Sequence, residues 1–272
     1  MAILSPALRL SRLSSFLLAS LLFTACGGGE PGASTAGTAI SADQSDSPAS
    51  TPTVTSGPAT SPSTTEPVIP AGKAITTIEY HGDSTIWGYR SGSGDRVATP
   101  APAAFVAALP TPERYVVRNR GVNSADACEM LSGGNARYSA SWENTMAASD
   151  ADIVIINHAI NDQWRMNTDR YKSCLSSLAS IAKQHGKKVI FETPNPTRDS
   201  YPGGLGVYAD AMKAVAAAQG APVIDQYGYL MGRLNGDYRN VTSIIPDGLH
   251  PDEATYILKG RYAAQVFGSL AR

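Results

Sequence analysis

The amino-acid sequence predicts an α/β fold, a three-layer α/β/α sandwich around a mostly parallel central sheet of about five strands. Short apolar runs alternate with helix-like segments between residues 73 and 272. One run, Asp152 to Asn157, is almost continuously apolar, which is typical of a strand that helices cover on both faces. Residues 73–272 are therefore expected to form one domain, long enough to bury a sizeable core.

The predicted elements follow in order along this domain. Strands are expected at Ile75–Tyr80, Tyr115–Arg118, Ile153–Asn157, Val189–Glu192 and Pro222–Asp225. Helices are expected at Ser124–Leu131, Asp169–His185, Tyr208–Gln219 and Glu253–Leu270, from apolar residues at helical spacing and glycine stops. Because functional groups of such sheets gather beyond the carboxyl ends of the strands, residues directly after each strand are the candidates for chemistry.

Residues 1–25 are expected to be a secretion signal. Arg9 and Arg12 precede an apolar stretch, residues 13–23, that is too short for a comfortable membrane span. The segment ends in Thr24-Ala25-Cys26, which resembles a bacterial lipobox and implies cleavage before Cys26 and lipidation of its sulfur. An ordinary secretory signal cut near Ala25 is the alternative. The lipobox implies a bacterial cell-envelope protein that is lipid-anchored in the periplasm or at the outer membrane. Secretion of the free protein is the alternative location.

Residues 26–72 are expected to form a disordered tether. They are rich in Gly, Ser, Thr, Pro and Ala, so they cannot bury enough apolar surface to offset the entropy of ordering. The formal net charge of −1 and pI of about 6.4 give no electrostatic case for nucleic acid. Beyond Cys26 the chain has two cysteines, Cys128 and Cys174, which fit either a disulfide formed in an oxidising compartment or two buried thiols.

Two short segments hold the residues of a serine hydrolase. Ser84 follows the first strand in Gly82-Asp83-Ser84, and a serine hydroxyl needs a base within hydrogen-bond reach to act as a nucleophile. Far downstream, His250 supplies that base, and Asp247 stands three residues earlier, where it can orient the imidazole. Taken alone, Gly-Asp-Ser also fits a plain turn that caps a helix.

Further segments extend this pattern. Residues 118–124 (Arg-Asn-Arg-Gly-Val-Asn-Ser) follow the second strand, and residues 157–162 (Asn-His-Ala-Ile-Asn-Asp) follow the third. With these segments the chain resembles the SGNH (GDSL-type) hydrolase family over nearly the whole domain. The resemblance implies the flavodoxin-like SGNH hydrolase fold, with Ser84 as nucleophile and Asp247 and His250 completing the triad. It also implies an oxyanion hole formed by the Ser84 and Gly121 N–H groups and the Asn161 side chain.

Two positions depart from the family pattern. Thr85 stands where the family usually has leucine, which matters little because it lies outside the reacting residues. Ala159 stands where the family usually has glycine, and its methyl group is expected to narrow the acyl pocket or tilt Asn161.

The expected function is a serine esterase that needs no cofactor and no metal. Its expected partners are short-acyl or O-acetyl esters of glycans or lipids, and a membrane through the lipid at Cys26, with a monomer as the default state. One alternative is a metal-dependent phosphoesterase that uses the acidic and histidine side chains near the strand ends: His81, Asp83, His158, Asp162, Asp247 and His250. The other is a non-catalytic glycan-binding lipoprotein, which the complete set of triad residues argues against.

Overall fold

A parallel sheet of five strands forms the centre of the protein. The strands are β1 (Thr76–Gly82), β2 (Tyr115–Gly121), β3 (Ile153–Asn157), β4 (Lys188–Glu192) and β5 (Val223–Ile224). Their order is β2-β1-β3-β4-β5, and every pairing is parallel. This computed structural model describes residues 74–199 and 204–270. The predicted signal segment, Cys26 and the tether lie outside the described residues.

The four predicted helices are present, and further short ones join them. The predicted four are α3 (Ala127–Ser132), α6 (Thr168–Gln184), α7 (Leu205–Ala218) and α9 (Glu253–Leu270). The additional helices are α1 (Ser84–Trp87), α2 (Ala101–Ala107), α4 (Trp142–Ala148), α5 (Asp162–Arg165) and α8 (Gln226–Arg233), with 3₁₀ turns at Pro112–Arg114 and Tyr238–Ser243. Helices of one or two turns show too little apolar periodicity to be recognised in the sequence.

Helix α3 begins three residues later than its sequence predicts. Asp126 caps it by accepting a hydrogen bond from the Glu129 N–H, and the Glu129 side chain accepts one from the Asp126 N–H in return. This reciprocal capping box satisfies two backbone donors at the helix start. Residues 122–125 form a turn instead, in which the Ala125 N–H donates to the Val122 carbonyl.

Alternate residues of the central strand β3 enter two separate apolar layers, as the period of two in a strand requires. In β3, Val154 and Ile156 pack with α3, α4, α6 and α7 on one face, whereas Ile153 and Ile155 pack with α2 and α9 on the other. All five β3 residues are buried. The three-layer prediction is therefore confirmed, and the sheet is parallel throughout its described strands.

A disulfide links Cys128 of α3 to Cys174 of α6, with the two Cα atoms 5.3 Å apart. It joins two helices of the same layer across a sequence separation of 46 residues. None of the helices in the described ranges has the length and apolarity needed to cross a bilayer.

Candidate active site

The candidate residues follow three adjacent strands at one edge of the sheet. Gly82 ends β1 and pairs with Gly121, the last residue of β2, on one side and with Asn157, the last residue of β3, on the other. The chain passes from β1 to β2 on one side of β1 and then crosses to β3 on the other side of β1. This edge of the sheet is therefore a topological switch point. The loops that carry Ser84 and Asn161 both start there.

The loop after β1 presents Ser84 at the start of α1. Asp83 caps this helix, because its Oδ1 accepts hydrogen bonds from the Thr85 N–H and hydroxyl, both at 2.8 Å. Gly82 allows a close approach, since a Cβ built there would lie 2.4 Å from the Asn157 carbonyl oxygen. Ser84 is only 7% exposed, and within the described residues its N–H donates no hydrogen bond.

The loop before α9 brings His250 to Ser84. The Ser84 Oγ lies 3.1 Å from His250 Nε2, and His250 Nδ1 lies 2.8 Å from Asp247 Oδ2. An ionised carboxylate can only accept, so Asp247 assigns the proton to Nδ1 and leaves Nε2 to accept from the serine hydroxyl. The three side chains thus form one continuous line of hydrogen bonds.

Asp247 also organises its own loop. Its Oδ1 accepts hydrogen bonds from the Leu249 N–H at 2.8 Å and the His250 N–H at 2.7 Å. Partial burial alone would raise the pKa of Asp247, but the hydrogen bonds from His250 and Leu249 outweigh it and hold the pKa at about 2. The carboxylate therefore stays ionised throughout the neutral and mildly acidic range.

An aromatic side chain packs against the imidazole. The ring centroids of Tyr89 and His250 are 4.4 Å apart, with the planes tilted by 36°. The Tyr89 carbonyl accepts a hydrogen bond from the Tyr256 hydroxyl of α9 at 3.0 Å. Packing on one face and the Asp247 hydrogen bond at Nδ1 restrict rotation of the histidine ring.

Asn161 lies at the N-terminal end of α5 and faces the loop after β2. Its Nδ2 donates to the Ala125 carbonyl at 2.9 Å. A side-chain amide has two N–H groups, so one remains for another acceptor. Ala159 is fully buried in the apolar layer below this loop, so its methyl group packs into the core.

Gly121 sits differently from the expectation. Its N–H donates to Asn119 Oδ1 at 2.9 Å, so in this structure the amide already has an acceptor. A Cβ at Gly121 would lie 2.2 Å from the Trp87 nitrogen, and this close approach of β2 to α1 explains the glycine. Three residues later, Ser124 has a φ of 58°, at a turn position that favours glycine, and its N–H donates no hydrogen bond within the described residues.

Two further polar side chains beside Asn161 are buried. Asp162 is fully buried, accepts a hydrogen bond from the Ala127 N–H at 2.9 Å, and has its pKa raised to about 8 by burial. His158 is also fully buried, and burial lowers its pKa to about 4, so its ring is neutral. Both side chains are buried in the interior rather than exposed at the solvent-facing rim.

The six residues of the metal-site alternative do not form a ligand set. His81 packs against Trp142, with ring centroids 4.7 Å apart, and its Nε2 lies 3.4 Å from Glu79 Oε2. Across residues 74–199 and 204–270, no three His, Cys, Asp or Glu side chains are placed where they could hold a metal ion together.

Comparison with known protein families decides the class of the chain. The model of the GDSL-like lipase/acylhydrolase family matches residues 80–258, which span from the end of β1 into α9. The chain belongs to this family. This GDSL-type protein is a carboxylic ester hydrolase, as its sequence predicts.

Solved structures share the fold of this GDSL-type protein. A lipase/acylhydrolase from Enterococcus faecalis has 20% identity and a TM-score of 0.56, covering 72% of this chain and 97% of its own. An acetylxylan esterase from Geobacillus stearothermophilus has 22% identity and a TM-score of 0.56, covering 73% and 96%. A carbohydrate acetylesterase family member from Sinorhizobium meliloti has 15% identity and a TM-score of 0.57, covering 72% and 99%. No curated protein matches the chain.

The residues that hold the candidate oxyanion donors in place cannot all be recognised from the sequence alone. The Asn119 contact to Gly121 is an Asx turn, for which the Asn-x-Gly spacing gives a local signal. No local sequence signal identifies the Ala125 carbonyl as the acceptor for Asn161. The two residues are 36 positions apart, so the tertiary fold brings them together.

Proposed function

We propose that this GDSL-type protein hydrolyses short-acyl carboxylic esters, above all O-acetyl esters of glycans, with Ser84, His250 and Asp247 as a catalytic triad. The observation that carries the proposal is the line of hydrogen bonds from Ser84 Oγ through the imidazole to Asp247, with distances of 3.1 and 2.8 Å. A serine within hydrogen-bond reach of an oriented base is the arrangement that acyl transfer requires.

In the proposed mechanism His250 Nε2 takes the hydroxyl proton as Ser84 Oγ attacks the ester carbonyl carbon. Asp247 remains ionised and stabilises the imidazolium that forms. The tetrahedral intermediate collapses when His250 protonates the leaving alcohol, which leaves an acyl-serine. A water molecule then gives its proton to His250 and attacks the acyl carbon, and the departing Ser84 Oγ recovers the proton.

The oxyanion would be held by fixed N–H donors that have no other acceptor. Within the part of the chain that the structure describes, the Ser84 N–H and the second N–H of Asn161 Nδ2 meet this requirement. Gly121 meets it only if its hydrogen bond to Asn119 breaks. Among the described residues the Ser124 N–H, in the loop that Asn161 contacts through Ala125, has no acceptor. We propose this N–H as the third donor in place of Gly121.

Two considerations support an acetylated glycan as the substrate. Two structural relatives, described as an acetylxylan esterase and a carbohydrate acetylesterase family member, act on acetylated carbohydrates according to their names. The expected lipid anchor at Cys26 and the tether would hold the enzyme at the cell envelope, where such glycans are available.

The test is hydrolysis of p-nitrophenyl acetate together with covalent labelling by a fluorophosphonate. We expect Ser84→Ala to lower kcat by about 10⁴-fold or more and to abolish labelling, since the attacking oxygen is lost. Ser180→Ala, on α6 outside the site, is the matched control and should leave both unchanged. Normal activity in Ser84→Ala, or loss of wild-type activity with EDTA that added zinc restores, would refute the proposal.

A further inference from the structure

A buried lysine lies beneath the candidate active site. Lys259 of α9 is 0% exposed, and its Nζ donates to Asn195 Oδ1 at 3.0 Å. Burial lowers the pKa of Lys259, while the carboxylates of Glu192 and Asp83 raise it. Placing an ammonium group in the interior is costly unless it is paired and hydrogen-bonded. The proposed mechanism does not use this lysine, so its position needs a separate explanation.

Asn195 connects the lysine to the histidine loop. It is fully buried in the segment after β4, and its Nδ2 donates to the Leu249 carbonyl at 3.3 Å and to the Pro196 carbonyl at 3.0 Å. The Leu249 carbonyl belongs to the same planar peptide unit as the His250 N–H. That N–H donates to Asp247 Oδ1 at 2.7 Å, so the peptide unit is held at both ends.

The lysine selects one of two orientations of the asparagine amide. An Asn side chain can be rotated by half a turn with little change of shape, which exchanges its donor and its acceptor. The Lys259 Nζ donates to Asn195 Oδ1, so the amide oxygen is held on the side of the lysine. The nitrogen is then left facing the Leu249 carbonyl, where it can donate.

We propose that Lys259 is a positioning residue for His250, acting through Asn195 on the peptide unit that carries the imidazole. The inference rests on the proposed role of His250 as the catalytic base. Helix α9 also supports the imidazole ring itself, because the Tyr256 hydroxyl holds the Tyr89 backbone and Tyr89 packs on the ring. The same helix thus fixes both the backbone and one face of the histidine.

The first test measures kcat and KM for p-nitrophenyl acetate in the full chain carrying Lys259→Met. We expect kcat to fall about 10- to 100-fold, because small misplacements of a catalytic group have effects of this size. The KM should stay within about threefold, since the acyl pocket is untouched. Lys188→Met, at the opposite end of β4 from Glu192, is the control and should leave both constants unchanged.

The second test separates positioning from a general loss of stability. Asn195→Asp keeps an oxygen for Lys259 but replaces the donor that faces the Leu249 carbonyl, so it should lower kcat to a similar extent. The double variant should lose no more than the worse single variant, because both changes break the same chain of hydrogen bonds. If the two substitutions instead damaged the structure independently, their effects on kcat would add. The losses in kcat would then parallel the decrease in the thermal unfolding midpoint. If Lys259→Met does not fold, Asn195→Asp carries the test.

Folded variants whose kcat stays within about twofold of an active wild-type protein would overturn this inference alone. A wild-type protein without esterase activity would overturn the proposed function and this inference with it.

Discussion

At the scale of single residues, one carboxylate fixes the geometry of the candidate triad. The two oxygens of Asp247 have different tasks: Oδ1 accepts from two backbone N–H groups of its own loop, and Oδ2 faces His250 Nδ1. The backbone donors fix which oxygen faces the ring. The imidazole tautomer therefore depends on the chemical nature of a single atom at the Oδ2 position.

Asp247→Asn should lower kcat for p-nitrophenyl acetate by about 10³–10⁴-fold while the protein stays folded. The amide oxygen keeps the two backbone donors, so the amide nitrogen is placed against Nδ1 and donates to it. The proton then moves to Nε2, which can no longer accept from Ser84. The control is Asp210→Asn, on the exposed face of α7. Equal kcat values for the two variants would contradict the role of Asp247.

At the scale of elements, short helices and loops hold the site at the sheet edge. Helix α3 starts where the Ala127 N–H meets the Asp162 carboxyl group of α5, and the Asn161 amide binds the Ala125 carbonyl just before. Two hydrogen bonds therefore link the loop after β2 to the loop after β3. Because one of the joining groups is a buried acid, we expect this junction to be sensitive to pH.

Asp162→Asn should remove part of the pH dependence of stability. Burial raises the pKa of Asp162 to about 8, so folding favours the protonated form. Its contribution is complete below the pKa of the unfolded chain, about 3.9, and is lost as pH rises toward 8. The amide of the Asp162→Asn variant does not ionise, so the variant does not lose this stability as pH rises. We expect the variant to gain on the order of a few kcal/mol over wild type between pH 4 and pH 8 in urea unfolding. A difference that stays constant with pH would argue against a protonated Asp162.

The central elements were predictable because they are long or strongly patterned. The five strands, and the helices α6, α7 and α9, differ from their predicted ranges by a few residues at most. The short helices α1, α2, α4, α5 and α8 were not predicted, since tertiary contacts and single capping side chains determine them. The identity of the site residues follows from family resemblance, but their hydrogen bonds do not. Asn195 and Lys259 illustrate this, because nothing in the local sequence links them to His250.

At the scale of the whole molecule, the predicted secretion signal and tether would set where the hydrolase domain works. The domain contains the family match and the candidate site. The lipobox-like segment lies before it in the sequence, and the predicted tether of residues 26–72 separates the two. A single lipid-modified residue would then decide between a membrane-bound and a free enzyme, without any change in the active site.

Cys26→Ser should move the protein from the membrane fraction to the soluble fraction of an expressing bacterium, because serine offers no thiol for lipidation. Hydrolysis of p-nitrophenyl acetate should be unchanged, since the triad lies in the domain. Gly27→Ala retains the cysteine and should remain with the membranes. Immunoblots of separated fractions provide the measurement, and membrane retention of Cys26→Ser would refute the lipid anchor.

The bond between Cys128 and Cys174 has a practical consequence for making the protein. It closes a loop with a sequence separation of 46 residues, which reduces the freedom of the unfolded chain and adds about 3–4 kcal/mol of stability. Bacterial cytosol keeps thiols reduced, so material produced there would lack this cross-link. The melting temperatures of cytosolic and periplasmic preparations can be compared only after the cytosolic protein has been reoxidised, so that both contain the disulfide.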